Sequence, residues 1–147
     1  MTELGVPTTQ AGIYYQNTVA ARALADLLDL SPSPPRERVV EVRVEAPSDV
    51  DDLVLRHADG HSAFIQVKLR LRRSGPAWAA LWTDMAKQVQ RSEFRANDRL
   101  VLILGESGDL ATAVRDWAEL AATSLDVKEW SARATQNQTS VKQTSNA

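Results

Sequence analysis

The stretch Asp52-Leu-Val-Leu-Arg-His-Ala-Asp-Gly-His-Ser-Ala-Phe-Ile-Gln-Val-Lys-Leu-Arg70 decides how this chain folds. Two runs of strand-forming residues flank Ala58-Asp-Gly60, a turn sequence of hairpin type, so Asp52 to His57 and Ser62 to Arg70 read as antiparallel partners. Side chains along a strand alternate between faces. Phe64, Gln66, Lys68 and Arg70 therefore share one face, and Ile65, Val67 and Leu69 supply the core from the other. Counting back from the turn brings Asp52 opposite Val67 or Lys68. A slip of one residue would put Asp51 there instead, because register fixes which side faces in.

Outward from the hairpin, Ala46-Pro-Ser-Asp49 is a break, and before it Arg38 to Glu45 alternates valines with charged residues, the period of a half-buried strand. Ser31-Pro-Ser-Pro-Pro35 cannot continue a helix. Ala11 to Leu30 carries Ile13, Ala20, Leu24, Leu27 and Leu28 at helical spacing, and residues 1–10 read as a flexible leader. Downstream, Ser74-Gly-Pro76 opens a helix from Ala77 to Phe94, with Trp78, Leu81, Trp82, Met85 and Val89 as its apolar side. Arg99 to Leu104 is apolar enough for a strand covered on both faces. Gly108 to Ser124 is a closing helix with Leu110, Val114, Trp117 and Leu120. From Ser131 to Ala147 the composition turns to Ser, Thr, Gln and Asn, expected to be a disordered tail or the start of a linker. The expectation is one α/β domain over residues 11–130, a central mixed sheet flanked by helices.

A chain of 147 residues can bury a real core, and 44% apolar with 24% charged residues is ordinary for a globular protein. With no cysteine, disulfides and thiolate metal sites are excluded. No signal-like or membrane-spanning apolar run is present, so the expected location is the cytoplasm. A net charge of −2 argues against coating nucleic acid by charge alone. Its distribution says more. Glu41, Glu45, Asp49, Asp51 and Asp52 form an acidic stretch, and Lys68, Arg70, Arg72 and Arg73 a basic one.

An Asp carboxylate is a hard ligand suited to Mg²⁺, which keeps several waters and binds few protein groups. Asp52, or Asp51 in the shifted register, with the Gln66 amide oxygen and the Val67 carbonyl, would make up the protein's share of such a shell. A metal there lowers the pKa of bound water and offsets phosphate charge. Lys68 would orient that water or stabilise the transition state, and Arg70, Arg72 and Arg73 would hold neighbouring phosphates.

An acidic residue opening one strand of a hairpin, followed on the next by an acid or amide, any residue and Lys, resembles the PD-(D/E)xK restriction-endonuclease-like superfamily. More narrowly, Gly12-Ile-Tyr-Tyr-Gln16, Val50-Asp-Asp-Leu-Val-Leu55, Phe64-Ile-Gln-Val-Lys68 and Ala80-Leu-Trp-Thr-Asp-Met85 are similar to the double-stranded-DNA endonuclease domain of bacterial antiphage effectors of CBASS type, whose second motif is Gln-x-Lys. The likeness spans Gly12 to Leu104. It implies a restriction-endonuclease-like fold, Mg²⁺ (Mn²⁺ substituting) as cofactor, and cleavage of double-stranded DNA with little sequence preference. Asp52 and Gln66 would be metal ligands, Lys68 the catalytic lysine and Gln16 a first-helix residue near the metal. The same likeness implies a sensor or ATPase module in a longer protein, and self-association to cut both strands. Gln66 stands where the wider superfamily has a second carboxylate. A catalytically degenerate relative that binds nucleic acid or protein is thus the alternative, and a purely structural Asp52–Gln66–Lys68 cluster is a third reading.

Other residues read more plainly. Glu41 and Glu45 fall on the solvated face of the first strand. His57 and His61 flank the turn without a recognisable third and fourth ligand, and are expected to be exposed turn residues rather than a zinc site. Trp78, Trp82 and Trp117 are expected in the core. Gly105-Glu-Ser-Gly108 lacks the pattern of a phosphate-binding loop.

Overall fold

The computed structural model describes residues 6–29, 34–45, 49–50, 52–106 and 108–144. They form a mixed α/β fold in the order α1 (Val6–Leu28), a 3-10 turn (Pro35–Glu37), β1 (Val39–Val44), β2 (Leu53–His57), β3 (Ser62–Lys68), α2 (Pro76–Gln90), β4 (Arg99–Leu104), α3 (Asp109–Ala122) and α4 (Val127–Thr144). The sheet has the order β1-β2-β3-β4. β1–β2 and β2–β3 are antiparallel and β3–β4 is parallel, so α2 serves as the crossover that a parallel pair needs. The chain divides into two compact units, residues 1–106 and 107–147.

In the first unit, β3 organises the core. Ile65, Val67 and Ala63 pack with Leu53 and with Ala20 and Ala23 of α1 on one face. Phe64 packs with Val50 and with Leu81 and Met85 of α2 on the other. β4 sends Val101 and Ile103 to the first cluster and Leu100 and Leu102 to the second, as its continuous apolar run predicts.

Several local expectations shift. α1 begins at Val6, inside the expected leader, and its buried face is Ala20 and Ala23; Ile13, Leu24 and Leu28 are exposed. Small side chains let the helix backbone approach the sheet more closely than leucines would. In β1 the pairing slips between Val39 and Glu41, so Val39 enters the core while Val40 faces out. A bulge adds one residue and moves the alternation by one. In α2 the buried line is Leu81, Met85 and Gln88, at i, i+4 and i+7, which rotates Trp82 to the surface, in edge-to-face contact with a half-buried Trp78.

In the second unit, α3 and α4 form a helical pair. The Trp130 indole N–H donates to the Trp117 carbonyl (3.2 Å) and Arg133 donates to the Thr123 carbonyl (3.0 Å). The expected disordered tail is helical through Thr144. Its Ala, Gln and Lys content is compatible with helix, and low apolar content alone did not rule one out. Among the described residues, no helix is long and apolar enough to cross a membrane.

Candidate functional site

At the end of the sheet where β2 begins and β3 finishes, the ladder stops at the Leu53–Ile65 pair. That register carries Asp52 opposite Gln66, one or two residues short of the position the turn count gives. The difference arises at the turn, where the His57 N–H donates to the His61 carbonyl (2.9 Å) and closes it tightly. The Val67 N–H, beyond the last pair, finds its acceptor in the Asp52 side chain instead, at 2.7 Å from Oδ2. A carboxylate replaces the missing strand neighbour, as a buried donor requires.

Three further groups converge on that carboxylate. The Gln66 Nε2 donates to Oδ2, and Gln16 Nε2 donates to Oδ1 at 3.1 Å. Lys68 Nζ lies 4.0 Å from Oδ2. Gln16 reaches the site because it stands four residues before Ala20 and seven before Ala23, on the helix face that packs on the sheet. Gln66 is buried, the Asp52 side chain is 15% exposed and that of Lys68 is 36% exposed, so the lysine forms the solvent edge. The site opens into a cleft of about 300 Å³, lined by Gly12, Ile13, Gln16, Asp52, Lys68 and Arg70 among others.

Asp52, Gln66, Lys68 and Gln16 are thus brought together, Gln16 being the one that only the resemblance placed here. Val67 meets Asp52 through its N–H; the expected contribution of its carbonyl is not the contact seen. Asp51 lies outside the described residues. The basic run does not extend the strand face, because β3 ends at Lys68. Arg70 lines the cleft and pairs with Glu106, while Arg72 and Arg73 are exposed on the loop before α2. Glu41 pairs with Arg43 and Arg56, and exposed Glu45 has a positive φ of 51° where β1 turns away. Its N–H donates to the Asp52 carbonyl (3.2 Å).

Gln88, absent from any sequence motif, holds the approach to the site. It is fully buried, and its Oε1 accepts from the backbone N–H groups of Asp49 (3.1 Å) and Val50 (3.3 Å). Arg91, one turn on, pairs with Asp49 at 2.6 Å, and that carboxylate raises the guanidinium's pKa. α2 thereby fixes the two residues that deliver the chain toward Asp52. A glutamine in the apolar i, i+4, i+7 line of a helix was the available signal.

A larger cavity of about 450 Å³ lies on the sheet face bearing Val54 and Phe64. Its polar groups are largely paired within the protein: Glu41 with its two arginines, and Asp98 with the N–H groups of Ser62 and Arg95. Comparison of this chain with protein-family models, curated proteins and solved structures gives no match.

Proposed function

We propose that the first unit is a metal-dependent endonuclease domain hydrolysing DNA phosphodiesters, an effector of bacterial antiphage defence acting in the cytoplasm. The observation that carries this reading is the meeting of Asp52, Gln66, Lys68 and Gln16 from three separate elements at one sheet end, beside an open cleft. The DNA substrate, its double-stranded form and the defence role rest on the resemblance of the Asp-led strand and the Gln66-Val-Lys68 motif.

The donor set fits a hard cation in kind. Asp52 offers two carboxylate oxygens, and Gln16 and Gln66 each carry an amide oxygen that a half-turn of the amide would direct inward. Asp52 and Gln66 would hold Mg²⁺ or Mn²⁺, which supplies an activated water and neutralises phosphate charge. Lys68, 4.0 Å from the carboxylate and partly exposed, would orient that water and stabilise charge growing on the phosphate oxygens. Gln16 keeps the Asp52 carboxylate from rotating. Arg70 at the cleft edge would steady the next phosphate by exchanging its exposed Glu106 partner for it.

A second reading has its own observation. Asp52 already accepts hydrogen bonds from Gln16, Gln66 and Val67, and it is the one acid among the described residues lining the cleft. A site with a single carboxylate, satisfied by protein donors, also suits a degenerate domain that binds DNA without cutting it. Incubating plasmid with the full chain and Mg²⁺ or Mn²⁺ separates the two. Cleavage by the wild type, reduced about 10²-fold or more in Lys68→Ala and Asp52→Ala, is expected. DNA retention without cutting, at protein concentrations high enough for self-association, would establish the degenerate reading instead.

A further inference from the structure

The opposite end of β2 carries a second cluster. His57 and His61, expected to be exposed, are both buried, and their rings stack with centroids 4.2 Å apart and planes within 5°. His57 Nδ1 lies 2.9 Å from the Glu37 backbone carbonyl, which can only accept, so this nitrogen carries the proton. His61 Nδ1 lies 2.5 Å from an oxygen of Asp59, whose ionised carboxylate makes the same demand. In the neutral ring, a proton on Nδ1 leaves the lone pair of each histidine on Nε2. His61 Nε2 is buried without a hydrogen-bond partner, in a residue only 5% exposed. A buried polar atom left unsatisfied in this way calls for a ligand.

A carboxylate oxygen of Glu37 and one ring nitrogen from each histidine lie within 4.8 Å of one another. We propose that Glu37, His57 and His61 form a binding site for a divalent transition cation, with Zn²⁺ as the fitting ion and water completing the shell. Two imidazoles and one carboxylate are a known zinc donor set, and imidazole selects Zn²⁺ over Mg²⁺. Asp59, on His61 Nδ1, is the outer carboxylate that orients a liganding histidine and raises its basicity. Tetrahedral ligands about 2.1 Å from zinc lie about 3.4 Å apart, so side chains whose ligand atoms lie within 4.8 Å of one another close by up to about 1.4 Å on binding. The two rings also turn out of parallel, since a metal lies in the plane of each imidazole it binds. Arg99 spans both oxygens of Glu37 (3.3 and 3.4 Å) and keeps one of them when the other turns to the ion.

The ion joins the 3-10 turn before β1 to both sides of the β2–β3 hairpin. It lies at the far end of β2 from Asp52, so it acts on the fold and not on the reacting phosphate. Untagged full-length protein, stripped with a chelator, is titrated with Zn²⁺ against a chromophoric competitor. One equivalent is expected to bind with a Kd of about 1 µM or tighter, to raise Tm, and to shift the side-chain ¹⁵N resonances of both histidines. His61→Asn and Glu37→Gln weaken binding by about 100-fold or more, and Asp59→Asn by about 10–100-fold. Asp52→Ala, at the other end of the strand, binds zinc like the wild type whether or not DNA is cut. Wild-type affinity weaker than about 10 µM, histidine resonances that do not move, or binding that survives His57→Asn/His61→Asn would overturn the proposal.

Discussion

Removing the Asp52 carboxylate takes an acceptor away from Gln16, Gln66 and the Val67 N–H together. Removing the Lys68 amine breaks a partly exposed ion pair at 4.0 Å. The two substitutions should separate stability from activity. Asp52→Ala is expected to lower unfolding free energy by about 1–3 kcal/mol, the cost of leaving a part-buried donor unpaired. Lys68→Ala should change it by less than about 1 kcal/mol. Urea unfolding of both variants beside the cleavage assay checks this, and an equal loss of stability in the two would contradict the geometry. Gly105 is a second sensitive point. A Cβ there would meet Leu69 Cδ1 at 2.7 Å, Tyr15 Cε1 at 3.0 Å and the Leu69 backbone at 3.1 Å, while its N–H donates to the Lys68 carbonyl. Gly105→Ala is expected to destabilise by about 1–3 kcal/mol, since the Leu69 backbone cannot swing aside, and to reduce cleavage by displacing Lys68. A melt and a cleavage rate read both effects.

At the scale of elements, the β1–β2 pair is held across the strands by Glu41, opposite Arg56 in register and hydrogen-bonded to Arg43 at 2.5 Å. The Arg43 hydrogen bond first, then the charges of Arg43 and Arg56, pull the Glu41 pKa below its ordinary value of 4.5. A carboxyl whose folded pKa is lowered stabilises the fold above its unfolded pKa and loses that contribution as pH falls through the folded one. Wild type and Glu41→Gln should therefore differ most in urea midpoint near neutral pH and converge only in acid below the ordinary carboxyl value of 4.5, as Glu41 takes up its proton in the folded state. A difference that persists into acid would assign the effect to packing. The α1–sheet contact shows how an element carries chemistry: the stripe of Ala20 and Ala23 that seats the helix also aims Gln16 at Asp52.

Across the whole first unit, protection should follow layering. β3 is paired on both sides, packed on both faces, and buried from Ala63 to Val67. Its amides should exchange with solvent most slowly, those of β1 and the exposed loop before α2 fastest. Native-state hydrogen exchange tests this ranking, and fast exchange at Ile65 and Val67 would contradict the two-faced core. α3 and α4 form a separate compact unit, so their exchange need not track that of β3.

Much was legible in the residues themselves. The Ala58-Asp-Gly60 turn and the alternation on either side of it determined the hairpin. The continuous apolar run of Arg99 to Leu104 determined a strand with two covered faces. The period of two in Phe64-Ile-Gln-Val-Lys68 determined that Gln66 and Lys68 share a side. What local pattern cannot supply is distance between residues far apart in the chain. The bulge at Val39–Glu41, the turn of α2 that buries Gln88 and exposes Trp82, and the approach of Gln16 to Asp52 all depend on how elements dock. The two histidines make the point most sharply. Beside a polar turn they read as solvent-facing, and Glu37, twenty residues earlier, gives no spacing by which to join them. Only the folding of the 3-10 turn against the hairpin end buries both rings and sets a carboxylate beside them. Packing free energy selects among elements that the sequence specifies separately, and a polar cluster assembled that way exists only once the packing is made.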